Sequence, residues 1–84
     1  MLNQRIKGLY GITPNMKLNI ALIENVIKKH KLNILQYRCK TQDERRKLHE
    51  ATQLLELCIQ YNTLFIVNDD VNLCKKIGAN GVHL

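Results

Sequence analysis

The chain has 84 residues, of which 45% are hydrophobic and 24% charged, as in an ordinary globular domain. It contains no apolar run of about 18 residues, so no membrane-spanning helix is predicted. The net charge of +6 does not by itself indicate nucleic-acid binding, because the sequence has no known nucleic-acid motif and only three Tyr and one Phe to stack on bases. We expect neither a nucleic-acid nor a membrane partner, and a cytoplasmic location.

The three cysteines are widely spaced along the chain, at Cys39, Cys58 and Cys74. Their number is odd and they form no C-x-x-C pair, so neither a disulfide framework nor a zinc site is indicated. We expect free thiols.

Hydrophobic periodicity alternates between the strand and helix types along the chain. The predicted strands cover residues 6–13, 32–38, 64–68 and Gly81–Leu84. The predicted helices cover Lys17–His30, Thr41–Tyr61 and Val71–Ile77. Thr41-x-x-Glu44 matches a capping box and predicts that the second helix begins at Thr41. Strands that alternate with helices form βαβ units, so the pattern predicts an α/β fold with a parallel sheet.

The second predicted strand ends in polar residues, Gln36-Tyr37-Arg38-Cys39-Lys40. Because side chains on a strand alternate between two faces, Gln36, Arg38 and Lys40 are expected to share one face. A buried core has no use for three long polar side chains in a row, whereas a diphosphate site requires such groups. The alternative is an edge strand whose polar face is solvated.

The third predicted strand also ends in polar residues, Asn68-Asp69-Asp70. Carboxylates beside cations suit a Mg²⁺ ion that bridges to phosphate oxygens. The alternative is a helix cap, since Asn and Asp are favoured at that position, and both roles are compatible if Asp70 caps the helix while Asp69 binds metal. Because parallel sheets bind ligands at the carboxyl ends of their strands, we expect the two polar clusters to converge there.

These segments together resemble the thiamine-phosphate synthase family. The resemblance spans the whole chain and rests on four segments: Leu9-Tyr10-Gly11-Ile12-Thr13, Gln36-x-Arg38-x-Lys40, Phe65–Val71 and Gly78–Leu84. It implies a TIM barrel that joins hydroxymethylpyrimidine diphosphate to a thiazole phosphate and releases pyrophosphate with the help of Mg²⁺. It therefore implies that the fold is a partial (β/α)8 barrel, with the first three βα units and the fourth strand.

The resemblance also implies a role for each site residue. Gln36 would bind the pyrimidine, and Arg38 and Lys40 would bind the diphosphate and act catalytically as it leaves. Asn68 would contact the diphosphate, and Asp69 would be a Mg²⁺ ligand. In the implied mechanism the diphosphate departs first, and the thiazole nitrogen captures the pyrimidine-methyl cation that remains.

A complete barrel of this type needs roughly 200 residues or more, so residues 1–84 are expected to be the N-terminal part of an incomplete barrel domain. The thiazole-phosphate loops and a second metal carboxylate would then lie beyond Leu84. We expect self-association through exposed strand edges, exposed apolar residues at Leu9, Ile12 and Val82, and no activity of this chain alone. Two alternatives stay open, a thiazole tautomerase-like barrel, which has no diphosphate to bind, and a non-catalytic half-barrel.

Overall fold

Strands and helices alternate from one end of the described chain to the other, as predicted. The computed structural model describes residues 9–84, so residues 6–8 of the first predicted strand lie outside the described residues. The elements are β1 (Tyr10–Ile12), α1 (Ile20–His30), β2 (Ile34–Tyr37), α2 (Glu44–Gln60), β3 (Leu64–Asn68), α3 (Val71–Ile77) and β4 (Gly81–His83). The predicted bounds of β3 and α3 are confirmed, and the other elements are shorter than predicted.

Helix α1 begins three residues later than the prediction of Lys17. The side chain of Asn19 accepts a hydrogen bond from the Leu22 N–H at 3.1 Å, which satisfies a donor that has no partner inside the helix. This cap fixes the first turn after Asn19, and Lys17 stays in the loop.

Helix α2 begins at Glu44, so the predicted start at Thr41 is wrong. Asp43 is the cap, because its carboxylate accepts the Arg46 N–H at 3.1 Å. The Thr41 hydroxyl instead accepts the Asp43 N–H at 3.2 Å and forms the turn before the helix. Two neighbouring residues with good capping chemistry compete here, and the carboxylate caps the helix.

The four strands form one sheet in the order β1-β2-β3-β4, and all neighbouring pairs are parallel. Their carboxyl ends therefore share one edge, which we call the carboxyl edge. Ile12, Gln36 and Ile66 are in register across the first three strands, and residues in register point to the same face. The register thus assigns every strand residue to one of two faces.

One face, here called the covered face, packs against the helices and holds the core. Leu35, Tyr37, Phe65 and Val67 point to this face, and each is at most 4% exposed. They pack with buried residues of all three helices: Ile27, Ala51, Leu54, Cys58 and Leu73. The apolar residues of β2 thus pack under the helices.

The opposite face, here called the open face, carries apolar side chains without a covering layer. Tyr10, Ile12 and Leu64 point to it and are each about half exposed. The predicted exposure of Leu9 and Ile12 is confirmed, but that of Val82 is wrong. Val82 is in register with Val67 on the covered face and is half-buried.

Four parallel strands in chain order, with helices over one face and apolar residues on the other, form part of a (β/α)8 barrel. In such a barrel the open face lines the interior, which side chains from all strands fill. None of the helices within residues 9–84 is long and apolar enough to cross a membrane.

Candidate functional site at the carboxyl edge

The two polar clusters lie on the same edge of the sheet. Arg38 directly follows β2 and Asp69 directly follows β3, and these strands are parallel neighbours. The β2–β3 pairing places Tyr37 beside Val67, so both chains leave the sheet at the same level. This geometry meets the first requirement of the predicted site, that its residues share one edge.

Gln36 lies inside the sheet rather than on its rim. It is 4% exposed and points to the open face, where its Nε2 donates a hydrogen bond to the Tyr10 hydroxyl. The hydrogen bond holds the amide in one orientation and compensates for its burial. Gln36 therefore presents a fixed polar group near the carboxyl edge, with Tyr10 as its support on β1.

Arg38 and Lys40 leave the sheet, because β2 ends at Tyr37. The predicted row of three side chains along one strand face is wrong beyond Gln36. The loop is instead held through its backbone, since the Thr13 hydroxyl accepts the Arg38 N–H at 3.0 Å and Asn15 Oδ1 accepts the Lys40 N–H at 2.7 Å. Both cationic side chains are exposed, so they are available to an anion from solvent.

A cavity of about 300 Å³ lies at the carboxyl edge between the loop after β2, the first turns of α2 and the end of β3, and we call it the edge cavity. Lys40, Asn68 and Asp69 all line it, which brings one predicted cation together with the amide and carboxylate of the second cluster. Its other lining residues are Cys39, Thr41, Gln42, Glu44 and Lys47. Gln36 and Arg38 do not line this cavity.

A second cavity of about 300 Å³ lies between β1, β2 and α1. Its walls are almost entirely apolar, formed by residues such as Ile12, Leu22, Val26 and Leu35, with Lys17 as the only charged one among them. It offers no convergent set of polar groups. The polar residues of the two clusters therefore meet at the edge cavity and not at this apolar one.

The two aspartates after β3 are used in different ways. Asp70 caps α3, because its carboxylate accepts the Leu73 N–H at 2.9 Å. The same carboxylate forms an ion pair with Lys47 of α2. The hydrogen bond from Lys47 lowers the pKa of Asp70 and raises the pKa of Lys47. The capping interpretation is therefore correct for Asp70.

Asp69 has a different environment. Its backbone adopts a left-handed conformation with φ of 55°, and its N–H donates to the carbonyl of His83 in β4 at 2.6 Å. Within residues 9–84 no hydrogen bond or ion pair engages the Asp69 carboxylate. This exposed carboxylate borders the edge cavity, where its oxygens can accept a ligand.

The donor set at the edge cavity fits Mg²⁺ in part. Asp69 offers a carboxylate and Asn68 an amide oxygen, which lies 3.4 Å from Nδ1 of His83. Residues 9–84 contain no group of three or more His, Cys, Asp or Glu side chains that could hold a metal on their own. Mg²⁺ commonly takes one or two protein carboxylates and completes its shell with phosphate oxygens and water, which is the case that fits here.

Five residues near the site were not predicted from the sequence: Tyr10, Thr13, Asn15, Lys47 and His83. His83 had a usable signal, because it ends a predicted strand on the carboxyl edge. The others act through contacts with distant parts of the chain, which periodicity does not reveal.

The chain is similar to thiamine-phosphate synthases over nearly its whole length. It is 43% identical over 82 residues to the enzyme of Chromobacterium violaceum, covering 95% of this chain and 40% of the relative. It is 42% identical over 85 residues to the enzyme of Thioalkalivibrio sulfidiphilus, covering 96% of this chain and 40% of the relative. The chain thus spans about 40% of the length of the curated relatives it matches.

The fold and the family model agree with these similarities. Thiamine phosphate pyrophosphorylase from Pyrococcus furiosus has a similar structure, with a TM-score of 0.84 and 26% identity, over 100% of this chain and 41% of that one. The family model for thiamine monophosphate synthase matches residues 9–84. The chain therefore belongs to the thiamine monophosphate synthase family.

Proposed function

We propose that the whole protein to which this chain belongs is a Mg²⁺-dependent thiamine-phosphate synthase. It would join hydroxymethylpyrimidine diphosphate to a thiazole phosphate and release pyrophosphate. The observation that carries the proposal is the edge cavity, where Lys40, Asn68 and Asp69 meet at the carboxyl edge of a sheet from this family. In barrel enzymes this edge is the site of catalysis.

The proposal assigns a role to each site residue. Arg38 and Lys40 bind the diphosphate and stabilise the negative charge that grows on it as the C–O bond breaks. Asn68 contacts the diphosphate, and Asp69 would hold Mg²⁺. Gln36, fixed by Tyr10, hydrogen-bonds the pyrimidine on the open face.

Catalysis under this proposal is electrostatic. Cations positioned where charge develops in the transition state lower the barrier without any covalent bond to the protein. Mg²⁺, when bound, supplies further positive charge to the phosphate oxygens. The loop of Arg38 and Lys40 is already held by Thr13 and Asn15, so little reorganisation is required when the diphosphate binds.

The rest of the proposal concerns the whole protein. Residues 1–84 would be the N-terminal part of an incomplete barrel domain, and the thiazole-phosphate site would come from further βα units that cover the open face. Without those units we expect self-association through the edges of β1 and β4, because unpaired strand edges recruit other chains. Its cytoplasmic location stays a prediction.

A chimeric enzyme tests the proposal directly. Residues 1–84 would replace the matching 40% of the Chromobacterium violaceum thiamine-phosphate synthase, and formation of thiamine phosphate from both substrates and Mg²⁺ would be measured. We expect synthase activity from the chimera and none from the 84-residue chain alone. A folded chimera that is inactive would contradict the proposal, and activity that requires no diphosphate substrate would favour a tautomerase-like function.

In the chimera, Arg38→Ala should reduce turnover more than Gln36→Ala. Loss of one electrostatic contact to the transition state typically costs roughly a hundredfold or more in turnover, whereas Gln36 contacts a neutral ring. Arg45→Ala is the matched control, because Arg45 is an exposed cation on α2. Steady-state kinetics would measure all three variants, and unchanged turnover in Arg38→Ala would refute the catalytic role of Arg38.

A further inference from the structure

Lys47 is placed to control the turn that carries the candidate metal ligand. Its ammonium pairs with the Asp70 carboxylate, and both side chains are largely buried, at 16% and 20% exposed. Lys47 also lines the edge cavity together with Asp69. It thus connects α2 to the first residue after Asp69 along the chain.

The turn between β3 and α3 is short. β3 ends at Asn68 and Asp70 already caps α3, so Asp69 is the one residue between the strand and the helix cap. Asp69 has φ of 55°, a left-handed conformation that is uncommon for residues other than Gly, although Asp adopts it more often than most. Such a conformation persists only where the surrounding structure determines it.

Three contacts fix this turn. On one side the Asp69 N–H binds the His83 carbonyl. On the other side Asp70 accepts the Leu73 N–H and binds Lys47. The first two contacts are local or between neighbouring strands, whereas Lys47 reaches Asp70 from 23 residues away in the chain. The position of Asp69 relative to α2 and the edge cavity therefore depends on Lys47.

We propose that Lys47 is a positioning residue that, through its ion pair with Asp70, orients Asp69 and Asn68 for a magnesium–diphosphate ligand. The inference rests on the proposed function for the identity of that ligand. Lys47 acts on the turn and does not itself bind the diphosphate. Groups that orient metal ligands from outside the coordination shell typically contribute tenfold to a hundredfold in affinity.

The test measures binding of inorganic pyrophosphate with saturating Mg²⁺ to the chimera by isothermal titration calorimetry. Lys47→Met, which keeps the aliphatic stem, and Asp70→Asn, which keeps a capping oxygen, should each weaken binding by about tenfold. The double variant should be no weaker than either single variant, and Lys47→Arg should restore most of the affinity. Lys75→Met, an exposed lysine on α3, is the matched control and should bind normally.

The outcomes separate this inference from its alternatives. Unchanged binding in Lys47→Met would overturn it, and so would normal binding in Asp70→Asn, because Lys47 would then act directly on the ligand. Thermal melts of each variant set a temperature at which all are folded, so weaker binding is not a loss of fold. If pyrophosphate binding depends on Lys47 while the chimera makes no thiamine phosphate, the proposed function fails and this inference stands.

Discussion

The two faces of the sheet have the same backbone but differ in what lies over them. On β3, Phe65 points to the covered face and is fully buried, while its neighbour Leu64 points to the open face and is 51% exposed. Within the described residues, the covered face packs its side chains against three helices. The comparison teaches that the alternation of side chains along each strand separates the packed core from the face that is left uncovered within the described residues.

The polar groups of the two regions differ in the same way. On the covered side, the Glu50 carboxylate accepts hydrogen bonds from the Tyr37 hydroxyl at 2.8 Å and the Leu18 N–H at 3.2 Å, and it pairs with Arg46. Burial raises the pKa of Tyr37, and the hydrogen bond to Glu50 raises it further. At the carboxyl edge, by contrast, the cations and the Asp69 carboxylate face open space, where a charged ligand can complete them.

The largest expected effect comes from the covered face. Phe65→Ala should lower the free energy of unfolding by about 3–5 kcal/mol, since it opens a cavity in the core. Leu64→Ala on the same strand should change it by only about 0.5 kcal/mol, as at other surface positions. Urea denaturation of the 84-residue chain, followed by circular dichroism, measures both changes in the free energy of unfolding. An equal loss in Leu64→Ala would break the comparison, because it would show that the open face is packed as well.

A smaller effect is expected from the buried carboxylate. Glu50→Ala leaves the Tyr37 hydroxyl and the Leu18 N–H without their acceptor, which should cost about 1–3 kcal/mol in free energy of unfolding. Glu50→Gln keeps an acceptor and should cost less, and Glu56→Ala is the exposed control on the same helix. Thermal and urea melts check the order. Equal stability of Glu50→Ala and Glu56→Ala would show that Glu50 is not needed to link α2 to β2.

The smallest effect is the acid dependence of the Lys47–Asp70 pair. The folded-state pKa of Asp70 lies below its ordinary value of 3.8, so the pair contributes stability above pH 3.8 that is lost as the pH falls through the folded pKa. For a partly exposed pair the contribution is about 0.2–1 kcal/mol. The melting temperature of Asp70→Asn should therefore fall less between pH 6 and pH 2 than that of the unaltered chain. Parallel curves would contradict this linkage.

Local signals in the sequence predicted the helices and strands well where they were unambiguous. The bounds of β3 and α3 are as predicted, because a short apolar run, a capping Asp70 and a left-handed Gly78 mark them within a few residues. The predicted start of α2 at Thr41 was wrong, because Thr41 and Asp43 both have good capping chemistry and Asp43 is the cap.

The sequence predicted which edge of the sheet carries the candidate site, but it did not predict how the side chains are arranged there. That the two polar clusters share the carboxyl edge follows from the parallel order alone. That Arg38 and Lys40 lie in a loop does not, because strand pairing ends at Gln36 on the β1 side and Thr13 and Asn15 then take the next amides. Because β1 ends at Ile12, β2 loses its partner on that side after Gln36, and Arg38 and Lys40 lie in a loop instead of extending the strand.

The sequence by itself determined the order of the elements, the parallel sheet, its apolar face and the edge that carries the polar residues. Each of these depends on periodicity or on chemistry within a few residues. Only the tertiary structure decided which carboxylates are occupied and which are open: Glu50 is engaged by Tyr37, and Asp70 by Lys47 from 23 residues away, while Asp69 faces the edge cavity. The physical reason is that a carboxylate's role is set by the donors around it, and the fold brings those donors from distant parts of the chain.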